Sequence, residues 1–153
     1  MTRYTYTHWD VMLADPENPL PKAKRDYQIS RMREALKNFT HSPEPTYDDW
    51  EMLSDAVNIM EVIFEMGLIE DPQDAIGDAV AALARSGTRA MGGKPLRLNG
   101  PDISLLRGVL EDYEEVMEGL PARTMIMAHR ATEKRTQDIL AGKCRPQDVK
   151  APA

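Results

Sequence analysis

The segment from residue 47 to 67 is apolar on two sides at once, and this narrows the folds open to the chain more than any other feature. Trp50, Leu53, Val57, Met60 and Phe64 fall at helical spacing along one stripe, and Met52, Ala56, Ile59, Ile63 and Met66 along a second. A helix that is apolar on two sides needs neighbours on both, so this one is expected at the centre of a helical bundle. Thr46 is placed to cap it with Asp49 three residues on, and Gly67 to end it.

Proline and glycine divide the rest into elements of similar length. Pro21 opens a helix over 21–39, with Ile29, Met32, Leu36 and Phe39 on one face. Asp71-Pro72 starts another over 72–86, carrying Ile76, Ala79, Val80, Leu83 and Ala84. A fourth covers 102–119 and a fifth 122–141, parted by Gly119-Leu120-Pro121. Residues 1–20 hold Pro16 and Pro19, and the alternation from Arg3 to Trp9 has strand character. A lone strand is not stable, so an arm laid on the helices is expected, with Trp9 and the tyrosines pinning it. The fold class is therefore all-α: a compact bundle of about five helices with an extended N-terminal arm at 1–20. The bundle domain spans 21–142 and a flexible tail 143–153.

At 153 residues with 42% hydrophobic side chains, one domain is expected rather than two. The single cysteine, Cys144, excludes an intramolecular disulfide and any zinc site built from several cysteines. The first ten residues hold no apolar run suited to a signal-peptide core, and no apolar stretch is long enough to span a membrane. A cytoplasmic protein with no membrane contact is the expectation.

The net charge of −6 conceals a segregation. Eleven acids lie between His41 and Ala84 with no lysine or arginine among them. The 102–119 helix adds Glu111, Asp112, Glu114, Glu115 and Glu118, while the 21–39 and 122–141 helices are basic. In the plainer reading these segments neutralise one another within the fold, each exposed pair contributing about 0–1 kcal/mol. In the sharper one, Asp48, Asp49, Glu51, Asp55, Glu111 and Glu115 form an acidic face for a basic protein partner, since complementary charge speeds and directs association. A further alternative is DNA or RNA binding through Arg123, Arg130, Lys134 and Arg135.

Signs of catalysis are few. Glu51, Asp55, Asn58 and Glu65 share a stripe, but a carboxylate-bridged metal pair also calls for Glu-x-x-His motifs, which the chain lacks. His129 and Glu133 are four apart and read as a helical pair before a metal site. No nucleophile elbow, zinc-protease or phosphate-loop pattern occurs. No catalytic residue, metal or cofactor is therefore expected. The glycine-rich run Gly87–Asp102 holds Arg89, Gly92, Gly93, Lys94 and Arg97 and reads as a flexible surface loop before an anion cradle. The methionines of the 47–67 helix read as core. If one stripe stays exposed, a homodimer through that helix follows.

The pattern W-x-x-x-x-D-A-V-N-x-M from Trp50 to Met60, with Leu96–Gly100, Leu110–Tyr113, Pro121–Ile126 and His129–Glu133, carries a resemblance. Over roughly residues 20–148 the chain resembles small accessory proteins of bacteriophages and integrated mobile elements of proteobacteria. The resemblance brings no catalytic residues. It implies a phage or mobile-element product in a bacterial cytoplasm that binds a host or phage protein, possible targets including nucleic-acid-handling and defence systems, or that regulates phage genes.

Overall fold

A computed structural model describes residues 5–140 and residue 142. Among them are six helices and no strand: α1 (His8–Leu13), α2 (Lys22–His41), α3 (Tyr47–Glu65), α4 (Ala75–Met91), α5 (Gly100–Gly119) and α6 (Ala122–Leu140). The all-α class holds, with one helix more than the sequence pattern suggests. The tail and Cys144 lie outside the described residues.

α3 occupies the centre, packing against α2, α4, α6 and α5. Its start is fixed by a reciprocal cap. The Asp49 N–H donates to Thr46 Oγ1 at 3.2 Å, and the Thr46 N–H donates back to the Asp49 carboxylate at 2.9 Å. Its end is set by Gly67, which takes the left-handed backbone (φ +78°) that a side chain would strain. Between these limits Leu53, Ala56, Val57, Ile59, Met60, Val62 and Ile63 are all buried. Around them pack Met32 and Phe39 of α2, Ala79 and Leu83 of α4, Leu106, Val109 and Tyr113 of α5, and Met125 and Ala128 of α6. Most of both stripes of α3 is thus covered within the molecule, while Trp50, Met52 and Met66 are half-buried and Phe64 is exposed.

The N-terminal arm departs from its expected extended form. Thr7 and Asp10 build the same reciprocal cap as Thr46 and Asp49, and the capped turn continues as α1. None of its residues is buried, and Trp9 and Leu13 are 71% and 82% exposed. Tyr6 and Leu20 on either side of α1 are buried instead. Polar bonds to the start of α6 complete the anchorage. Arg123 donates through Nε to the Val11 carbonyl and through Nη2 to that of Met12, each at 3.1 Å. The Ala122 N–H donates to the Asn18 carbonyl at 2.7 Å. Trp9 therefore does not pin the arm.

The glycine-rich run is also shorter as a loop than its composition suggests, because α4 continues through Gly87 to Met91. A Cβ on Gly87 would stand 2.8 Å from Cζ2 of Trp50, whose Nε1–H donates to the Leu83 carbonyl at 2.9 Å. Glycine is kept here for the close approach of the indole, and the packing outweighs its cost of about 1 kcal/mol inside a helix. Arg89 accordingly sits on α4 and not in the loop. The buried Ser86 hydroxyl donates to the Arg97 carbonyl at 2.8 Å, Arg89 reaches the same oxygen at 3.3 Å, and Leu98 enters the core. Gly92, Gly93, Lys94 and Arg97 remain exposed in this connection, which is tied to α4 through the Arg97 carbonyl.

Candidate functional site: a cleft between α2, α3 and α6

Three helical faces converge on a cleft of about 420 Å³ beside the N-terminal segment. α3 contributes Glu51, Met52, Asp55 and Ile59, and α2 contributes Tyr27, Gln28, Arg31 and Met32. From α6 come His129, Thr132, Glu133 and Thr136. In each case the spacing of three or four residues places the groups on one face of a helix.

The charged groups are perturbed in ways that follow from their surroundings. Much of the Asp55 side chain still meets solvent, yet the protein around its carboxyl and the charges of Glu51 and Glu133 raise it to about 6. Burial lowers His129 to about 4, so its imidazole is neutral at physiological pH. The His129 Nε2 lies 3.3 Å from the hydroxyl of the fully buried Tyr113, and Tyr6 meets the imidazole edge-on at 5.5 Å between ring centroids. Burial, then the nearness of Tyr6 and Asp55, pushes the Tyr113 phenol well above its ordinary range. Glu133 does not pair with His129 as a helical neighbour. Its two oxygens accept the Thr5 N–H at 3.1 and 2.9 Å, fastening the N-terminal segment to α6.

Two details bear on what the cleft can do. The carbonyl oxygen of the Gln28 side chain is buried with no hydrogen-bond partner among the described residues, while the same side chain bonds Tyr6. The hydroxyls of Thr132 and Thr136 both donate to carbonyls one turn back on α6, at 2.8 and 3.1 Å, and so are committed to the helix. The cleft thus offers acceptors and apolar walls, and the hydroxyls of Thr132 and Thr136 on it are turned back to their own helix.

The expected acidic face is only partly assembled. Asp48, Glu51 and Asp55 are exposed and share one stripe of α3. Asp49 turns away, since it caps α3 and accepts a hydrogen bond from the Asn38 amide at 3.0 Å. Glu111 lines a different groove, between α2 and α5, with Arg33, Lys37 and Arg107, and Glu115 follows one turn later. α2 stands between the two sets, so they do not form one surface.

The basic residues of α6 are likewise dispersed. Arg135, with its side chain only 10% exposed, bridges Glu61 at 3.0 Å and Glu65. Burial and the neighbouring Glu65 raise the Glu61 carboxyl even so. Lys134 pairs with Asp138 at 2.9 Å, and Arg123 holds the N-terminal arm. Arg130 carries a buried Nε. Part of the charge is paired within the fold, and the acids that meet Arg135 come from α3 and not from α5.

Tyr113 and Gln28 form the part of the site that sequence reasoning missed, and His129 was read there only as a partner of Glu133. The readable sign was His129 itself, a polar residue one turn beyond Met125 on the buried stripe of α6. Among the described residues, no three His, Cys, Asp or Glu side chains are gathered as a metal ion would require. No helix among these residues is long and apolar enough to cross a membrane. No protein-family model matches the chain, and neither curated proteins nor solved structures yield a match.

Proposed function

We propose that this chain is a non-catalytic binding module that recognises a basic protein through the carboxylates along the first half of α3. The observation that carries this reading is that Asp48, Glu51 and Asp55 form one exposed stripe that no ion pair among the described residues reaches, whereas Glu61 and Glu65 further along the same helix are matched by Arg135. Burial contributes most to the rise of Asp55, and the charges of Glu51 and Glu133 add a repulsion that positive charge arriving from outside relieves. Long-range attraction of the same sign steers a basic partner to this face. The resemblance to phage and mobile-element accessory proteins suggests a host or phage protein as that partner, one that handles nucleic acid or serves in defence, in a bacterial cytoplasm.

The test is capture from nuclease-treated bacterial lysate by the native chain and by the double variant Asp48→Lys, Glu51→Lys. The native chain is expected to retain a basic protein that the variant releases. Equal retention by both, or retention by neither, refutes the reading.

A further inference from the structure

We propose that residues 5–20 form a strap across α6 that protonation of His129 releases, the imidazolium drawing the Glu133 carboxylate away from the Thr5 N–H. The inference concerns the segment that carries α1 and does not depend on the partner proposed above.

The strap is held at a few points. At one end the Thr5 N–H donates to both oxygens of Glu133, and Tyr6 is buried. At the other the Ala122 and Arg123 N–H groups donate to the carbonyls of Asn18 and Asp15, at 2.7 and 3.0 Å, and Leu20 is buried. Between them α1 buries no side chain and is tied to α6 by the Arg123 guanidinium. A segment with so few buried apolar contacts opens at low free energy while the core stays folded.

His129 and Glu133 are four residues apart, so their side chains share one face of α6 within reach of each other. In the closed arrangement each serves something else. Glu133 holds Thr5, while His129 Nε2 meets the Tyr113 hydroxyl and the Tyr6 ring packs edge-on against the imidazole. Among the described residues no anion is bonded to the ring, and a buried charge without one is costly. A proton on the ring upsets this arrangement. With hydrogens on both nitrogens the ring can only donate, and its charge attracts the carboxylate one turn along the helix. Glu133 gives up the Thr5 N–H to meet it, and the strap loses Thr5 and the Tyr6 contact together.

The other charged and titratable groups around the ring come from every neighbouring element: Tyr6 and Asp10 of the strap, Lys24, Tyr27 and Arg31 of α2, Glu51 and Asp55 of α3, Tyr113 of α5 and Arg130 of α6. Asp10 is held low by its bonds to Thr7 and stays ionised. Asp55, raised to about 6, takes up a proton over the same range but makes no bond to the strap among the described residues. Burial holds the closed His129 at about 4, and once the strap lifts the ring meets water and returns towards its ordinary 6.5. The open form binds the proton more tightly than the closed one, so acid favours opening. Between pH 7.5 and 5.5 the opening equilibrium rises about tenfold.

The experiment is native-state hydrogen exchange of the whole chain at pH 7.5 and 5.5, read as protection relative to the free-peptide rate. Protection of the Ala122 and Arg123 amides, which the strap covers, is expected to fall about tenfold. That of Val57 and Met60 is expected to change by less than about threefold, because on global unfolding the proton gained by His129 is offset by the one lost from Asp55. In His129→Gln, which stays neutral and can still accept from the Tyr113 hydroxyl, the tenfold fall should vanish. The His129 ring, followed by NMR, gives the reverse measurement. Its midpoint should rise by about one pH unit or more in the double variant Tyr6→Ala, Arg123→Ala, which frees the strap, with the α3 amides still protected. Strap protection independent of pH, a fall shared equally by the α3 amides, a fall that persists in His129→Gln, or an unmoved midpoint in the double variant overturns the proposal.

Discussion

Replacing Asp55 by asparagine removes a carboxylate that the folded protein holds at a cost, so the variant is expected to be more stable than the native chain at neutral pH. The rise from an ordinary 3.8 to about 6 sets a ceiling of about 3 kcal/mol, at about 1.4 kcal/mol per pKa unit. Water still reaches part of the side chain and screens the repulsion, which brings the expected gain down to about 1 kcal/mol. For a chain of this size that corresponds to a rise in Tm of about 2–4 °C.

The pH dependence gives the sharper signature. The folded carboxyl binds its proton more tightly than the unfolded one, so the penalty is absent below about 4 and fully present above about 6. His129 acts in the opposite sense. Its folded pKa of about 4 lies below the ordinary 6.5, so acidification through that interval favours the unfolded chain. In the native protein the two dependences offset each other over nearly the same window. In Asp55→Asn only that of His129 remains. Urea unfolding followed by far-ultraviolet circular dichroism at pH 7.5, 5.5 and 4 should show the advantage of the variant shrinking as pH falls. A variant less stable than the native chain at pH 7.5, or an advantage independent of pH, refutes the reasoning.

Gly87→Ala should destabilise the protein by about 1–2 kcal/mol although alanine is the better helix former, because the added methyl collides with the Trp50 ring; a change in tryptophan emission should accompany the loss, and a rise in Tm would refute the packing argument. Arg135→Ala should cost about 1–2 kcal/mol by leaving Glu61 and Glu65 facing each other, measured by urea unfolding. That cost should shrink in acid as Glu61, whose pKa is raised, takes up a proton. Arg123→Ala should release residues 8–20 to limited proteolysis while leaving the core transition within about 1–2 kcal/mol of native, since its bonds to the Val11 and Met12 carbonyls are all on that arm.

What could be read from the sequence was what is encoded locally. The two stripes of α3, its Thr46–Asp49 cap and its Gly67 terminus each depend on residues within a few positions of one another, and all three are found as expected. α1 was legible in principle, because Thr7 and Asp10 carry the same spacing as Thr46 and Asp49. The alternation before it suggested a strand, and a six-residue helix with no buried side chain leaves little periodicity to find. Gly87 misled because its cost to a helix is local, whereas the indole that requires it comes from α3, far away in sequence. The charged surface was the least legible. Whether Glu111 joins Asp55, or Arg135 meets α3 and not α5, depends on how each helix is rotated in the bundle, and composition does not encode that.

The contrast between α3, packed against four neighbours, and α1, with no buried side chain, has a consequence for how the molecule opens. Amides of Val57 to Ile63 can meet solvent only when several helix contacts are lost together, so their hydrogen exchange reports global unfolding. Amides of α1 are freed by a local detachment that leaves the core intact, and they exchange at far lower free energy. The chain therefore has one cooperative unit built around α3 and a separately opening latch held by Arg123 and Glu133. Because Glu133 also lines the cleft, the opening of that latch frees a carboxylate beside Asp55.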